Sequence, residues 1–163
     1  MANAMVGNHP SHRGCVVETI TEAKIMSHGD SGKLFNVTAG EFAITLPKAT
    51  PEIVGFSAEF VITTGADTAL TIVSKEADDL YYGGLITVTG IVSSTSSATN
   101  GRLYQPDGSD DRILTLDNDL DGNGFDKGSH MKVQCIAENK WLWSGHLMVA
   151  AAEDDDTSLA PFS

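Results

Sequence analysis

The sequence contains no long run of apolar residues, and this absence excludes a conventional membrane-spanning helix. Basic residues are also scarce, because ten lysines and arginines stand against 22 aspartates and glutamates, for a formal net charge of -12. Nucleic acids and anionic membranes bind positive patches that replace their counterions, and this composition works against such a patch. We therefore expect neither nucleic acid nor a membrane among the partners.

Cysteine occurs twice, at Cys15 and Cys135. Neither residue belongs to a Cys-x-x-Cys pair, so the spacing excludes a zinc ribbon. One disulfide between the two is an alternative, but two separate buried thiols agree better with synthesis in a reducing cytoplasm. The first residues lack the charged and then apolar pattern of a secretory signal, which supports the same expectation.

Catalytic signatures are absent from the sequence. It has no Gly-x-Ser-x-Gly elbow, no phosphate-binding glycine-rich loop that opens a helix, and no His-Glu-x-x-His motif. Pairs of acids such as Asp78 and Asp79 do not indicate a glycosidase, because that chemistry needs two carboxylates held across a groove. We therefore expect a protein that is not an enzyme.

A period-two pattern of apolar residues is present over much of the chain. Phe42, Ile44 and Leu46 alternate with smaller or polar residues, and a second such run starts at Phe56 and ends at Thr63. Successive side chains of a strand point to opposite faces, so this alternation predicts half-buried strands. Glycine, proline and aspartate gather at the breaks between the runs, where they favour turns.

Roughly eight to ten short strands are predicted along the chain, and no segment is predicted to be helical with confidence. This pattern predicts an all-β fold, namely an antiparallel β-sandwich of jelly-roll type, with a barrel as the alternative. We divide the chain into a flexible N-terminal arm over residues 1–14, a β-sandwich domain over 15–149 and an acidic C-terminal tail over 150–163. The tail is expected to be solvated, and docking of its apolar end, Leu159 to Phe162, is the alternative.

The arm is polar, lacks periodicity and contains Pro10 between two histidines. Imidazole is a good metal ligand, but His9 and His12 have no carboxylate or thiol close by in the sequence. A flexible terminus that a partner surface orders is the better interpretation. The candidate residues for contact with that partner, or with a neighbouring subunit, are His9, Pro10, His12 and Arg13.

An acidic, glycine-rich loop follows residue 116. Its carboxylates at Asp117, Asp119 and Asp121, followed by Gly122, match the first half of a calcium-binding loop. The twelfth position holds Gly128 where a bidentate glutamate is expected, and no helical pattern flanks the loop. Calcium is therefore the candidate ligand of these three aspartates, and an ordinary acidic loop between strands is the alternative. No other cofactor is expected.

Two aromatic pairs leave two interpretations open. Tyr81 and Tyr82 could form a binding platform, or they could cover the edge of the core with their hydroxyls in water. Trp141 and Trp143 fall on one face of a hairpin strand that follows a turn at Glu138 and Asn139. At least one of the two is expected in the core, and an exposed pair would stack on a sugar ring.

Several short motifs together resemble the small virion structural proteins of tailed bacteriophages, and in particular their capsid decoration (cement) proteins. The likeness covers about Thr19 to Gly145 and the Pro-Phe end of the tail. The motifs that carry it are Asp30 to Phe35, Phe42 to Pro47, Gly55 to Ile62, Lys127 to Ser129, Asn139 to Trp141, and Pro161 to Phe162.

The resemblance implies a structural role on a bacteriophage head. Proteins of this kind decorate the outside of the capsid, often as homotrimers at three-fold positions, and hold adjacent major capsid subunits together. The implied partner is the major capsid protein, and the implied location is the outer surface of a virion after synthesis in the host cytoplasm. The alternative is a receptor- or glycan-binding module of a phage fibre or head, which the aromatic pairs would serve.

Overall fold

The computed structural model describes residues 15–63, 69–89, 102–116 and 127–149, together with residue 162. These residues form strands joined by turns and by two short 3-10 segments, His28–Asp30 and Pro51–Ile53. In chain order the strands are β1 (Val17–Ile20), β2 (Lys24–Ile25), β3 (Lys33–Val37), β4 (Phe42–Leu46), β5 (Ser57–Ile62), β6 (Leu70–Ser74), β7 (Leu80–Gly83), β8 (Leu85–Thr89), β9 (Arg102–Tyr104), β10 (Ile113–Leu116), β11 (His130–Ala137) and β12 (Lys140–Val149).

The all-β prediction is confirmed, and the predicted faces are the observed ones. On β4, Ile44 and Leu46 are buried on the side that Phe42 shares, and on β5 every second residue from Ala58 to Ile62 is buried. Burial alternates because each strand turns one face to a common core and the other to solvent or a loop. The period of two was therefore sufficient to predict both the strands and their buried sides.

The strands form two mixed sheets. The larger sheet has eight strands in the order β1-β3-β5-β11-β12-β8-β9, and β7 also pairs with β12. The smaller sheet has four strands in the order β10-β6-β4-β2. From β1 to β6 the chain alternates between the sheets, so that each odd-numbered strand enters the larger sheet and each even-numbered strand the smaller one.

This alternation makes the predicted antiparallel arrangement wrong. Among the described residues, six of the ten strand pairings are parallel, including β1 with β3, β3 with β5, β2 with β4 and β4 with β6. Parallel neighbours need a crossover between them, and in these four pairs a strand of the opposite sheet supplies the crossover. Strands β3 to β6 therefore wind between the two sheets and do not form the antiparallel neighbours that the sequence analysis predicted.

The later strands complete the larger sheet. β11 lies antiparallel between β5 and β12, while β7 and β8 run parallel to β12 in one register that pairs Leu80 with Lys140 and Ile86 with His146. β7 ends at Gly83, whose φ of 89° belongs to the left-handed region. A Cβ atom there would lie 2.2 Å from the carbonyl oxygen of Trp143, so this close approach requires glycine.

One apolar core receives side chains from both sheets. Its largest fully buried members are aromatic: Trp141, Trp143, Tyr81, Phe35 and Phe60. The rings of Phe35 and Phe60 stack at 5.5 Å between centroids, and Tyr81 meets Trp143 edge-on at 5.5 Å. Phe162 lies in the same core, which agrees with the alternative that the apolar end of the tail docks on the domain. The prediction of separate arm and tail segments concerns residues that are, apart from Phe162, outside the described ranges.

Both cysteines are free thiols, so the alternative of a disulfide is wrong. Cys135 is buried in the core, and burial raises the pKa of its thiol. Cys15 is exposed next to β1, which contradicts the expectation that both thiols are buried. Its position just before an edge strand explains the difference, because no further strand covers that side in the described structure.

Candidate functional site

The residues that the sequence singled out as sites lie outside the described ranges. The structure therefore does not place the predicted contact arm or the three aspartates of the predicted calcium loop, and both remain predictions. The residues concerned are His9, Pro10, His12, Arg13, Asp117, Asp119 and Asp121.

A different group of acids lies in the turn between β9 and β10. Carboxylate oxygens of Asp107, Asp110 and Asp111 lie within 4.8 Å of one another. The backbone N–H and the hydroxyl of Ser109 each donate a hydrogen bond of 2.7 Å to Asp107, and the backbone hydrogen bond in particular lowers the pKa of that carboxyl group. The turn geometry accounts for these acids, because an aspartate side chain commonly bonds the backbone two residues ahead.

At the other end of the stack, four charged residues close the core. Glu18 of β1 and Lys33 of β3 stand on the core-facing sides of their strands, where Glu18 pairs with the buried Phe35. Lys24 of β2 pairs with the buried Ile44, and its ammonium lies 5.5 Å from the Phe35 ring centroid. With Asp30 from the turn before β3, these residues form what we call the ionic cap: Glu18, Lys24, Asp30 and Lys33.

Short hydrogen bonds join the members of the ionic cap. Lys33 Nζ donates to Asp30 Oδ1 at 2.7 Å and to Glu18 Oε2 at 2.8 Å, and Lys24 Nζ donates to Glu18 Oε1 at 2.6 Å. The backbone N–H of Ser27 donates to Asp30 Oδ2 at 2.8 Å. Lys24 therefore links β2 of the smaller sheet to β1 of the larger sheet. Lys33 links β3 to β1 and to the 3-10 segment that precedes β3.

The pKa values follow from this geometry. Burial raises the pKa of Asp30, but the hydrogen bonds from Lys33 and Ser27 outweigh burial and hold it at about 2. The hydrogen bonds from Lys24 and Lys33 lower the pKa of Glu18, and the hydrogen bond to Asp30 raises that of Lys33. All three groups are thus charged at neutral pH, and the cap holds the first strands of both sheets in place.

The outer surface of this end is apolar. Val16 and Val17 are each 60% exposed at the edge of the larger sheet, and Ile25 is 77% exposed on the edge strand of the smaller sheet. We call Val16 and Val17 the β1 patch, and Ile25 on the other sheet is not part of it. Exposed apolar residues on an edge strand favour contact with another protein surface, and the ionic cap beneath keeps their backbone fixed.

A second apolar surface lies at the opposite edge of the larger sheet. Ile86 of β8 and Leu103 of β9 are direct cross-strand partners and are 50% and 58% exposed. We call this pair the β9 patch. Six strand-to-strand steps separate β1 from β9 in the sheet order, which at about 4.8 Å per step puts the two patches roughly 29 Å apart.

The aromatic pairs do not form an exposed platform. Tyr81, Trp141 and Trp143 are buried, and the Tyr81 hydroxyl donates to the carbonyl oxygen of Ile72 in the other sheet at 3.1 Å. The expectation that the tyrosine hydroxyls face water is wrong for Tyr81, whereas Tyr82 is half-buried. The prediction that at least one tryptophan is in the core is confirmed for both.

Sequence reasoning missed both the ionic cap and the apolar patches. A signal for the cap was present, because Glu18 shares its strand face with Ile20, and Lys33 shares its face with Phe35. Charged residues at core-facing positions of neighbouring strands indicate the end of a core. No comparable signal exists for Ile86 and Leu103, since their exposure depends on which strand lies beside each one.

Comparisons of the chain with protein-family models, with curated proteins and with solved structures found no match. Among the described residues, no helix is long and apolar enough to cross a membrane.

Proposed function

We propose that this chain is a structural virion protein that decorates the outside of a bacteriophage head and clamps adjacent major capsid subunits. The observation that carries the proposal is the pair of exposed apolar patches on opposite edges of one sheet. A clamp needs two separate contact surfaces on a stiff body, and the β1 and β9 patches have this arrangement. The sequence resemblance to capsid decoration proteins supports the same role.

The proposal includes a β-sandwich fold and a homotrimeric state. The shared core supports stacked sheets, because strands of both sheets bury their side chains in it and the Tyr81 hydroxyl bonds across to Ile72. Strand edges with exposed apolar residues support self-association, since an oligomer removes such edges from solvent. The major capsid protein is the proposed partner.

The mechanism requires binding and no chemical step. A protein that binds the mature shell, and not its precursor or its dissociated subunits, stabilises that shell by mass action. A decorating subunit that is held at two patches must release both before it dissociates from the shell. Repetition of this contact over the lattice therefore makes dissociation of the shell more difficult. Burial of the exposed apolar area contributes about 25 cal/mol per Å² of surface removed from water.

A receptor- or glycan-binding role is not favoured by the structure of the described residues. That alternative depended on exposed aromatic pairs, and three of the four rings are buried in the core. A stacking platform for a sugar needs an accessible ring face, which these positions do not offer.

Co-sedimentation with expanded shells that lack a decoration protein tests the proposal. The purified protein should bind saturably, at one copy or trimer for each lattice position, and should raise the temperature at which the shell disrupts. Failure of the wild-type protein to bind such shells would overturn the capsid proposal.

Charge substitutions test whether both patches take part. Val17→Asp and Leu103→Asp should each weaken shell binding, because one patch remains, and the double variant should abolish it, because both contacts are lost. Ile136→Asp is the matched control, since Ile136 is an exposed apolar residue on β11 in the interior of the sheet. Equal loss of binding for the control and the patch variants would contradict the assignment of the patches.

A further inference from the structure

Two histidines stand side by side on the outer face of the larger sheet. His130 of β11 and His146 of β12 are direct cross-strand partners, and their ring centroids lie 6.0 Å apart. The next residue on each strand, Met131 and Leu147, is buried in the core, so both imidazoles belong to the opposite face. Both histidines are partly exposed, and a small solute can therefore reach the pair.

Hydrogen bonds orient both rings. His146 Nε2 lies 3.0 Å from the carbonyl oxygen of Gly128, and His130 Nε2 lies 3.4 Å from Glu59 Oε2. A carbonyl or carboxylate oxygen accepts and does not donate, so Nε2 carries the proton in each neutral ring and Nδ1 carries a lone pair. Metal-binding histidines have this arrangement, in which an oxygen acceptor fixes the tautomer that presents the other nitrogen to the ion.

The backbone that carries the pair is fixed on both sides of it. A Cβ atom on Gly145 would lie 2.2 Å from the carbonyl oxygen of His130, so the two strands approach each other more closely here than a side chain permits. On the other side, the N–H of Met148 donates to the hydroxyl of the buried Ser129 at 2.8 Å. Side chains on such rigid strands can meet one ligand with little ordering of the chain.

The separation of the rings agrees with one shared ion. Zinc binds an imidazole nitrogen at about 2.0–2.1 Å, and an ion bound to two rings places their centroids roughly 5–6 Å apart. Glu59 Oε1 also pairs with Lys132 Nζ at 3.6 Å, so this carboxylate is shared between a lysine and His130. Glu59 is therefore a positioning residue for His130, and water completes the coordination of the ion.

We propose that His130 and His146 form a binding site for one divalent transition-metal ion of the class that prefers imidazole, namely Cu²⁺, Ni²⁺ or Zn²⁺. Two nitrogens on one ion form a chelate, because the first bond holds the second ring close to the ion. The formal net charge of -12 favours cations near the surface. This site goes beyond the proposed function, and its test needs no capsid.

Titration calorimetry of the full-length chain with Ni²⁺ tests the site. The background carries His9→Ala, His12→Ala and Cys15→Ser, because these three side chains also offer metal-binding groups. We expect one Ni²⁺ ion to bind for each chain. Absence of binding in this background would overturn the proposal.

Single substitutions separate a chelate from independent imidazoles. His130→Ala and His146→Ala should each lower the affinity at least about tenfold, because one ring alone forms no chelate. The double variant should lose little more, since either single change already removes the chelate. His28→Ala is the matched control, because His28 is an exposed histidine outside the pair and should leave the affinity unchanged. Equal losses in all three single variants would show non-specific binding to imidazoles and overturn the site.

Electron paramagnetic resonance with Cu²⁺ identifies the ligands independently of affinity. In the same background, the spectrum of the bound ion should show coupling to two imidazole nitrogens, and each single histidine variant should show one. Glu59→Ala should keep both nitrogens and weaken Ni²⁺ binding severalfold, as expected for a residue that orients His130 without touching the ion. A spectrum of oxygen ligands alone would contradict the assignment.

Discussion

The two ends of the strand stack are closed in different ways. At β1 and β2 the closure is local and charged, because the ionic cap draws its four members from residues 18 to 33. At β10 the closure is remote and apolar, because Phe162 arrives from beyond the last strand. The comparison shows that residues close together in the sequence close one end of the core, whereas a single ring from beyond β12 closes the other.

The physical basis of each closure also sets its sensitivity. Exposed ion pairs contribute about 0–1 kcal/mol and respond to salt and pH, while a buried aromatic side chain contributes about 1.5–3 kcal/mol and responds to neither. Asp30 lies between these limits, because it is buried and accepts hydrogen bonds from both charged and backbone donors. Four substitutions, taken from the largest expected effect to the smallest, separate these contributions.

Trp143→Ala should produce the largest loss of stability. The indole is fully buried and contacts the rings of Phe60, Tyr81 and Phe162. Its removal leaves a cavity between these three rings. We expect a decrease of about 3–5 kcal/mol in the free energy of unfolding, measured by urea denaturation. A decrease in the free energy of unfolding below about 1 kcal/mol would show that these aromatic contacts are not part of the cooperative core.

Phe162→Ala should cost about 1.5–3 kcal/mol, because one buried ring is lost while the rest of the core stays intact. Ser163→Ala is the control, since it alters the adjacent residue and keeps the ring. If both variants unfold at the same urea concentration as the wild type, the remote closure contributes nothing to stability.

Asp30→Asn should cost about 1–2 kcal/mol at pH 7, because the neutral amide loses the charged hydrogen bond with Lys33 and the ion pair with Lys24. The folded-state pKa of Asp30 is about 2, below its ordinary value of 3.8. A lowered pKa stabilises the fold above pH 3.8, and this stabilisation is lost as the pH falls from 3.8 to about 2. The difference between wild type and variant should therefore shrink over this window, and a constant difference would contradict the assigned ion pairs.

Glu18→Gln should have the smallest effect, about 0.2–1 kcal/mol, because this carboxylate is about one third exposed and its ion pairs with Lys24 and Lys33 are solvated. The loss of stability in Glu18→Gln should also be smaller in 0.5 M salt, because the short Debye length at that concentration screens the ion pairs of the wild type. Thermal unfolding at low and high salt measures it. A salt-independent loss would indicate that Glu18 acts through packing and not through charge.

The sequence predicted the buried face of an individual strand far better than it predicted which strands pair and in which direction. Alternation along β4 and β5 is a local property, so the buried residues from Ala58 to Ile62 were predictable without knowledge of pairing. The direction of a neighbouring strand is not encoded in that alternation, because parallel and antiparallel strands share the period of two. β7 was missed for a related reason, since its four residues follow two aspartates and its pairing to β12 is made with a segment 60 residues away.

The candidate surfaces were harder to predict than the fold. Ile86 reads as one more apolar residue of a strand, and only its position beside Leu103 on an edge strand exposes it. The ionic cap was accessible in principle from the matching faces of Glu18 and Ile20 and of Lys33 and Phe35. That inference requires the knowledge that β1 and β3 are neighbours, which the sequence alone does not provide.

The position of β11 between β5 and β12 has a consequence for folding during synthesis. β5 ends at Ile62, but the strand that covers its open edge begins at His130, so the ribosome must add more than sixty residues before that edge is paired. Throughout this interval a nascent chain presents an apolar, unpaired strand to its surroundings, which is the condition that favours aggregation and chaperone capture. The high sequence separation of this pairing also predicts slow folding for a domain of this size. Chains that terminate early, before β11, should therefore accumulate as insoluble material even though all of the first six strands are present.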